Sequence, residues 1–305
     1  MRRIFTFISI IITTLLVLTS CVTSKTGTPA LGLPRVLAVE SFLADIAQNV
    51  AGNRLSVTSL IPLGVDPHAY QPTPQDAARL TEANIIILNG ANLESYLEPI
   101  LQNTGNKQQA IIRASDGLAA NPAPSGDSAS VDPHFWLDPN NVINYVKNIQ
   151  DGLSKVDPAG ASIYASNSAQ YITKIQALDS WIVSQVLNVP PTRRLLVTNH
   201  DSFGYFASRY GFTVVGAIVP SISSGAAPSA QELAGLITSI RSSGTPAIFL
   251  ETGTNTQLAD QISSETGVKV ITGLYLHSLS QAGGPASTYL DMMKYDVTVI
   301  VDALK

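Results

Sequence analysis

The sequence holds four histidines, His68, His134, His200 and His277, separated by 66, 66 and 77 residues. Imidazole nitrogen is a ligand suited to zinc, copper, iron and nickel. Two of the four end the same tripeptide, Asp66-Pro67-His68 and Asp132-Pro133-His134. Proline fixes the backbone ahead of the imidazole. The aspartate is placed to accept a hydrogen bond from a ring N–H, as the groups behind metal-bound histidines do. A lone histidine is usually an ordinary surface or core residue. Four in a histidine-poor chain, none on the apolar face of a predicted helix, point instead to one shared metal site.

The elements that must position them alternate. Residues 35–39, 55–61, 85–88 and 110–113 read as strands, and 40–50, 74–83 and 93–102 as helices. Residues 117–131 read as a surface loop and 140–155 as a helix, ended by Asp157-Pro158. From 159 to 186, Ile163, Tyr164, Tyr171, Ile175, Leu178, Ile182 and Val186 recur mostly three and four apart, the period of one long amphipathic helix. After Pro190-Pro191, strands are predicted at 195–198, 213–219, 247–250 and 269–272, with helices at 202–210, 230–242, 257–265 and 288–304. Strands alternating with helices imply βαβ units. The expected class is α/β: two α/β lobes with mainly parallel sheets, residues 35–156 and 190–305, bridged by one long backbone helix within 157–189.

In open α/β sheets ligands bind beyond the carboxyl ends of the strands. His68 follows strand 55–61, His200 lies two residues beyond strand 195–198, His277 follows 269–272 by five, and His134 precedes helix 140–155. All four are thus predicted in loops, two per lobe. Glu251 stands just after strand 247–250 as an outer partner or alternative ligand. Asp138 is expected to cap the helix after it, and Asp201 to act as a carboxylate at a helix N-terminus. Tyr171 and Trp181 read as core packing.

Of 305 residues 45% are hydrophobic and 13% charged, which argues against disorder. The net charge of -4 argues against a nucleic-acid binder. The single cysteine, Cys21, excludes an intrachain disulfide and a cysteine-based zinc cluster. It follows Arg2, Arg3 and an apolar run at 4–18, a basic-then-apolar order typical of secretory signals. Leu18-Thr19-Ser20-Cys21 resembles a bacterial lipoprotein processing site, so residues 1–20 are expected to be removed and Cys21 lipid-modified. Residues 21–34 read as a flexible tether. The protein is expected to work outside the cytoplasmic membrane, anchored through Cys21. No G-x-x-x-x-G-K-[ST] motif occurs, so the chain is not expected to be an ATPase.

Longer motifs surround the histidines. The segments are Gly64-Val65-Asp66-Pro67-His68-Ala69-Tyr70-Gln71-Pro72-Thr73-Pro74, Asp132-Pro133-His134-Phe135-Trp136-Leu137-Asp138-Pro139, Thr198-Asn199-His200-Asp201-Ser202-Phe203-Gly204-Tyr205-Phe206 and Gly273-Leu274-Tyr275-Leu276-His277-Ser278-Leu279. With Ser287-Thr288-Tyr289-Leu290-Asp291-Met292-Met293-Lys294-Tyr295-Asp296 near the end, they resemble the metal-binding lipoprotein receptors of bacterial zinc and manganese ABC transporters. The resemblance runs from about Arg35 to the end of the chain. It implies two lobes on a rigid helix, one metal between them, and a membrane permease that takes up the ion.

The family usually has aspartate where His277 stands. Either His277 replaces it as the fourth ligand, the reading adopted, or His277 faces away and Glu251 or a water completes the shell. Manganese receptors tend to carry a carboxylate at the third ligand position, which here is His200. Zinc (Zn2+) is therefore the expected ion, with Mn2+ or Fe2+ as alternatives. Zinc receptors often carry a histidine-rich loop before the second ligand, and residues 117–131 contain no histidine. No enzymatic activity is expected, and the chain is expected to act as a monomer. Two other readings compete: a zinc hydrolase with Glu251 as base, although no H-E-x-x-H occurs, and a metal-free surface adhesin.

Overall fold

The computed structural model describes residues 32–103, 105, 108–122 and 131–305. The predicted signal segment, Cys21 and most of the tether lie outside the described residues. Two four-stranded parallel sheets carry the fold. The first is built from β1 (Val36–Ala38), β2 (Val57–Ser59), β3 (Ile85–Leu88) and β4 (Ala110–Arg113) in the order β2-β1-β3-β4. The second has β5 (Leu195–His200), β6 (Thr213–Val219), β7 (Ala247–Glu251) and β8 (Lys269–Leu274) in the order β6-β5-β7-β8. The two orders are the same, and all pairings are parallel. The central strands β3 and β7 are buried along their whole length, as unbroken apolar runs covered on both faces must be.

The helices are α1 (Ser41–Ala51), α2 (Pro74–Glu82), α3 (Glu98–Asn103), α4 (Pro139–Val156), α5 (Ala161–Val186), α6 (Gly204–Tyr210), α7 (Ala230–Ser243), α8 (Gln257–Thr266) and α9 (Tyr289–Leu304). The starts of α2, α4, α7 and α9 follow the capping rules. Thr73 and Asp76 form a capping box on α2, and Ser229 and Glu232 do so on α7. Asp138 accepts from the Asn140 N–H ahead of α4, as expected. Asp201 does not cap: α6 opens at Phe203 with no side-chain cap. The helix expected over 93–102 begins instead as a 3-10 turn, Ser95–Leu97, and becomes α-helical at Glu98. Pro99 gives the reason, because proline lacks an N–H and fits only the first turn of an α-helix.

Helix α5 bridges the lobes. Its 26 residues bury one stripe, Tyr164, Ser168, Tyr171, Ile175, Leu178, Ile182 and Val186. The stripe packs on α1 and α4 on one side and on α9, which returns from the C-terminal half, on the other. Trp181 is partly buried against the same core. One continuous apolar cluster includes residues of α1, α4, α5, α6 and α9, and each sheet has a further small cluster of its own. The two halves are therefore joined by shared core as well as by a helix.

Candidate metal centre

Strand ends deliver the groups of the C-terminal half. The chain leaves β5 for β6 on one side of the sheet and reaches β7 on the other. In open α/β sheets ligands bind at the carboxyl ends of strands at such a switch. His200 is the last residue of β5 and Glu251 the last of β7. His200 was expected in a loop. Instead the strand runs on, because His200 pairs with Val219 of β6. His277 follows β8 by three residues.

The N-terminal half uses the Asp-Pro-His tripeptides. Pro67–Ala69 is a 3-10 turn with proline at its start, capped by Asp66, so His68 sits in a rigid turn. His134 immediately precedes a second such turn, Phe135–Leu137. Its support comes from Asn89, whose amide donates to the Pro133 carbonyl at 3.0 Å. Asn89 accepts in turn from the Tyr145 hydroxyl. The chain then turns through Gly90, Ala91 and Asn92 at φ of 92°, 50° and 65°. A Cβ on Gly90 would meet Ser115 Oγ at 2.8 Å, so glycine is needed there. Glu94 offsets the strain by accepting from the N–H groups of Asn89 and Gly90.

The four rings converge. His68 Nε2 and His277 Nε2 each lie 3.1 Å from His134 Nε2, and His200 Nε2 lies 3.3 Å from it. One ligand atom from each of the four lies within 4.8 Å of all the others. His134 and His200 are 0% exposed and His277 is 4% exposed, while His68 is half-buried. Zn–N bonds of ~2.0–2.1 Å in a tetrahedron require nitrogen separations of about 3.3–3.4 Å. The three separations from His134 Nε2 are close to that.

Carboxylates behind the rings aim them. His277 Nδ1 donates to Glu251 Oε2, and His200 Nδ1 lies 3.0 Å from Glu251 Oε1 without an aligned hydrogen bond. His134 Nδ1 donates to Asp132 Oδ1 at 2.7 Å. In His277 and His134 a proton on Nδ1 leaves the Nε2 lone pair free to face the other rings, whereas His200 Nδ1 accepts from the Asn199 side-chain amide at 3.0 Å. Asp66 departs from the expected pattern. One of its oxygens accepts from the His68 backbone N–H at 2.8 Å and the other from the Ser224 hydroxyl of the opposite half. Gly204 lies so close to Asp132 that a Cβ would stand 2.7 Å from Oδ2.

Electrostatics separates the rings. Burial, then the charges of His277 and His200, lowers His68 to about 3. Burial and the other three rings hold His134 well below the ordinary histidine value. Burial presses His277 the same way, but the Glu251 charge and hydrogen bond outweigh it and the net shift is upward. Burial pushes Glu251 up, yet His277 and His200 bring it well below the usual carboxylate range. Burial also pushes Asp132 up to about 7. Neutral rings at these separations direct lone pairs at one another, an arrangement relieved by a proton or a cation among them.

Bonds between the halves close over the site. The Trp136 indole N–H donates to the Leu276 carbonyl at 2.8 Å and stacks on Phe42 at 4.5 Å between ring centres. Its ring centre lies 5.2 Å from that of His134 and 5.6 Å from that of His277. Ser41 Oγ accepts from the Leu279 N–H at 2.9 Å, and Ser278 Oγ from the Gly64 N–H at 2.7 Å.

Residues 36–303 match the family described as zinc-uptake complex component A, periplasmic. The chain belongs to this family. Its relatives are substrate-binding lipoproteins of metal ABC transporters. A manganese-binding lipoprotein MntA of Halalkalibacterium halodurans is 33% identical over 301 residues, covering 98% of each chain. The manganese ABC transporter substrate-binding lipoprotein PsaA of Streptococcus pneumoniae is 29% identical over 297 residues, 95% of each. Among solved structures, the periplasmic zinc-binding protein TroA of Treponema pallidum superposes with a TM-score of 0.82 at 27% identity, covering 90% of this chain and 99% of that one. Like that structure, this zinc-uptake family member has two parallel α/β lobes on a long helix.

Asn199, Ser224, Asn89 and Tyr145 escaped the sequence reading. Asn199, whose side-chain amide meets His200 Nδ1 at 3.0 Å, is adjacent to that histidine in the chain and so had a local signal. The others are distant in sequence from what they hold and left no pattern to read.

Proposed function

We propose that this protein is an extracytoplasmic receptor that binds one zinc ion through His68, His134, His200 and His277 and hands it to an ABC permease. The carrying observation is the convergence of four imidazole nitrogens within 4.8 Å of one another, three of them 3.1–3.3 Å from the His134 nitrogen. Glu251 is the outer partner of two of these rings and not a ligand. Four nitrogen ligands leave no open position for a substrate, which suits capture and delivery rather than catalysis. Anchoring through a lipidated Cys21 would keep the receptor beside its permease, and it acts as a monomer.

Manganese is the second reading, favoured by the names of the relatives. Manganese prefers carboxylate and water, so Glu251 would have to leave His277 and enter the shell.

Metal content of the purified protein, followed by titration of zinc and manganese into chelated protein, tests the proposal. One zinc per chain is expected, with a rise in melting temperature on adding zinc, because a ligand that binds only the native state stabilises it. Manganese bound in preference to zinc would overturn the zinc assignment. Neither ion bound would overturn the site.

A further inference from the structure

Glu40 stands between β1 and α1 as the helix's N-cap residue, yet its side chain caps nothing. Caps are usually short side chains whose oxygen reaches the first turn. The Glu40 side chain is buried instead. The residue is 1% exposed, and neither carboxyl oxygen has a donor among the described residues. The group it meets is Glu94, itself 4% exposed. The other ionisable groups facing the pair are two phenols, Tyr96 of the 3-10 turn and Tyr145 of α4. Neither carboxyl belongs to an ion pair among the described residues.

Two carboxylates sealed from water repel each other, and each bare charge is costly to bury. They can meet when one carries a proton and donates it to the other. The surroundings say which. Glu94 accepts from the backbone N–H groups of Asn89 and Gly90, the setting of a carboxylate. Glu40 has no donor, the setting of a carboxylic acid. Burial, then the Glu94 charge, accordingly pushes Glu40 well above the ordinary glutamate value of 4.5. Burial raises Glu94 too, to about 7, against the pull of Glu40 and the two N–H groups.

Glu94 closes the turn that follows Asn89, and every polar atom of the Asn89 side chain is engaged. Its amide donates to the Gly90 carbonyl at 3.1 Å and to the Pro133 carbonyl at 3.0 Å, and its oxygen accepts from Tyr145. Pro133 immediately precedes His134. We propose that Glu40 is a positioning residue of the metal centre: the proton it shares with Glu94 locks the Gly90 turn, and the turn, through Asn89, seats His134. The inference rests on the metal-receptor reading above.

Two variants separate the proton from the bulk. Glu40→Gln keeps a donor for Glu94 that does not titrate, and Glu40→Met keeps an unbranched chain without a donor. Zinc dissociation constants of the full chain are measured at pH 7 by chelator competition. Glu40→Gln should bind zinc within about twofold of wild type and Glu40→Met about tenfold more weakly, the low end of the cost of losing an outer support. Urea unfolding of the zinc-free full chain from pH 5.5 to 7 reads the proton itself. Folded Glu40 keeps a proton that the unfolded chain gives up above about 4.5, so its contribution to stability is lost as pH rises. The wild-type unfolding constant should therefore climb more steeply than that of Glu40→Gln, by about tenfold per pH unit. Parallel profiles would overturn the shared proton. Wild-type zinc affinity in Glu40→Met, or equal weakening in both variants, would overturn the positioning role. If circular dichroism shows Glu40→Met unfolded, Glu40→Leu is judged by the same criterion. Wild-type protein that takes up no zinc would fail the receptor reading, while the pH comparison, made without zinc, would still decide the shared proton.

Discussion

The two halves share a strand order yet aim their histidines differently. In the N-terminal half each histidine has its own aspartate two residues back, and only one of those aspartates reaches a ring. In the C-terminal half a single carboxylate, Glu251, stands behind both rings. The same chemical task is thus divided in one half and concentrated in the other. Concentration sets both rings beside one charge, although only His277 hydrogen-bonds it. Division makes Asp132 and Asp66 separable, although the tripeptides containing them are identical.

The largest expected effect therefore belongs to Glu251. Loss of an outer partner costs about 10–100-fold in metal affinity. Glu251→Ala removes the hydrogen-bond partner of His277 and the carboxylate beside His200, and should weaken zinc binding by roughly 100-fold, measured by competition with a chelator of known affinity. A loss no greater than that of an Asp132 variant would break the comparison.

The aspartates come next. Asp132→Ala frees the His134 ring and should cost about 10–100-fold. Asp66→Ala removes acceptors from a backbone N–H and from Ser224 but none from a ring, so its equilibrium cost should fall below that range, under about tenfold. Equal losses in the two variants would show that the tripeptides work alike in solution.

The smallest effect is the response to pH. Zinc needs neutral rings. His68 and His134 are already held neutral far below neutral pH. His277 is the ring whose value is raised, so it protonates first as pH falls. Zinc affinity should be full above the raised His277 value and drop about tenfold per pH unit below it, the slope of one displaced proton. Titrations from pH 8 down to 6 would measure that slope. A slope of two or more would mean that a second ring takes up a proton in the same range.

Much of the fold was legible in the sequence. The unbroken Ile85–Leu88 run matched a strand residue for residue, and the stripe of α5 matched the buried face of the bridging helix except at Ile163, which is exposed beside the stripe, and Ser168, which is buried in it. Both signals are local, since each element shows its burial in its own period. The four histidines were also legible, because proline and strand ends marked their places. What escaped was pairing across distance. Whether β5 ends at Thr198 or His200 depends on a bond to β6, 19 residues away in the chain. Whether Asp66 serves its own histidine or Ser224 depends on the opposite half. Identical tripeptides cannot encode that difference, because the surroundings decide it.

Trp136 carries one more consequence. The chain has two tryptophans, and this one is 0% exposed, fixed by its N–H and its stack on Phe42, with two of the four imidazoles close to its ring. Trp181 lies on α5, partly buried against the core. The receptor thus contains its own optical gauge. On the proposed function, a double positive charge settling between His134 and His277 would alter the field across the Trp136 indole, so occupancy would be written into the ultraviolet emission of the unlabelled protein.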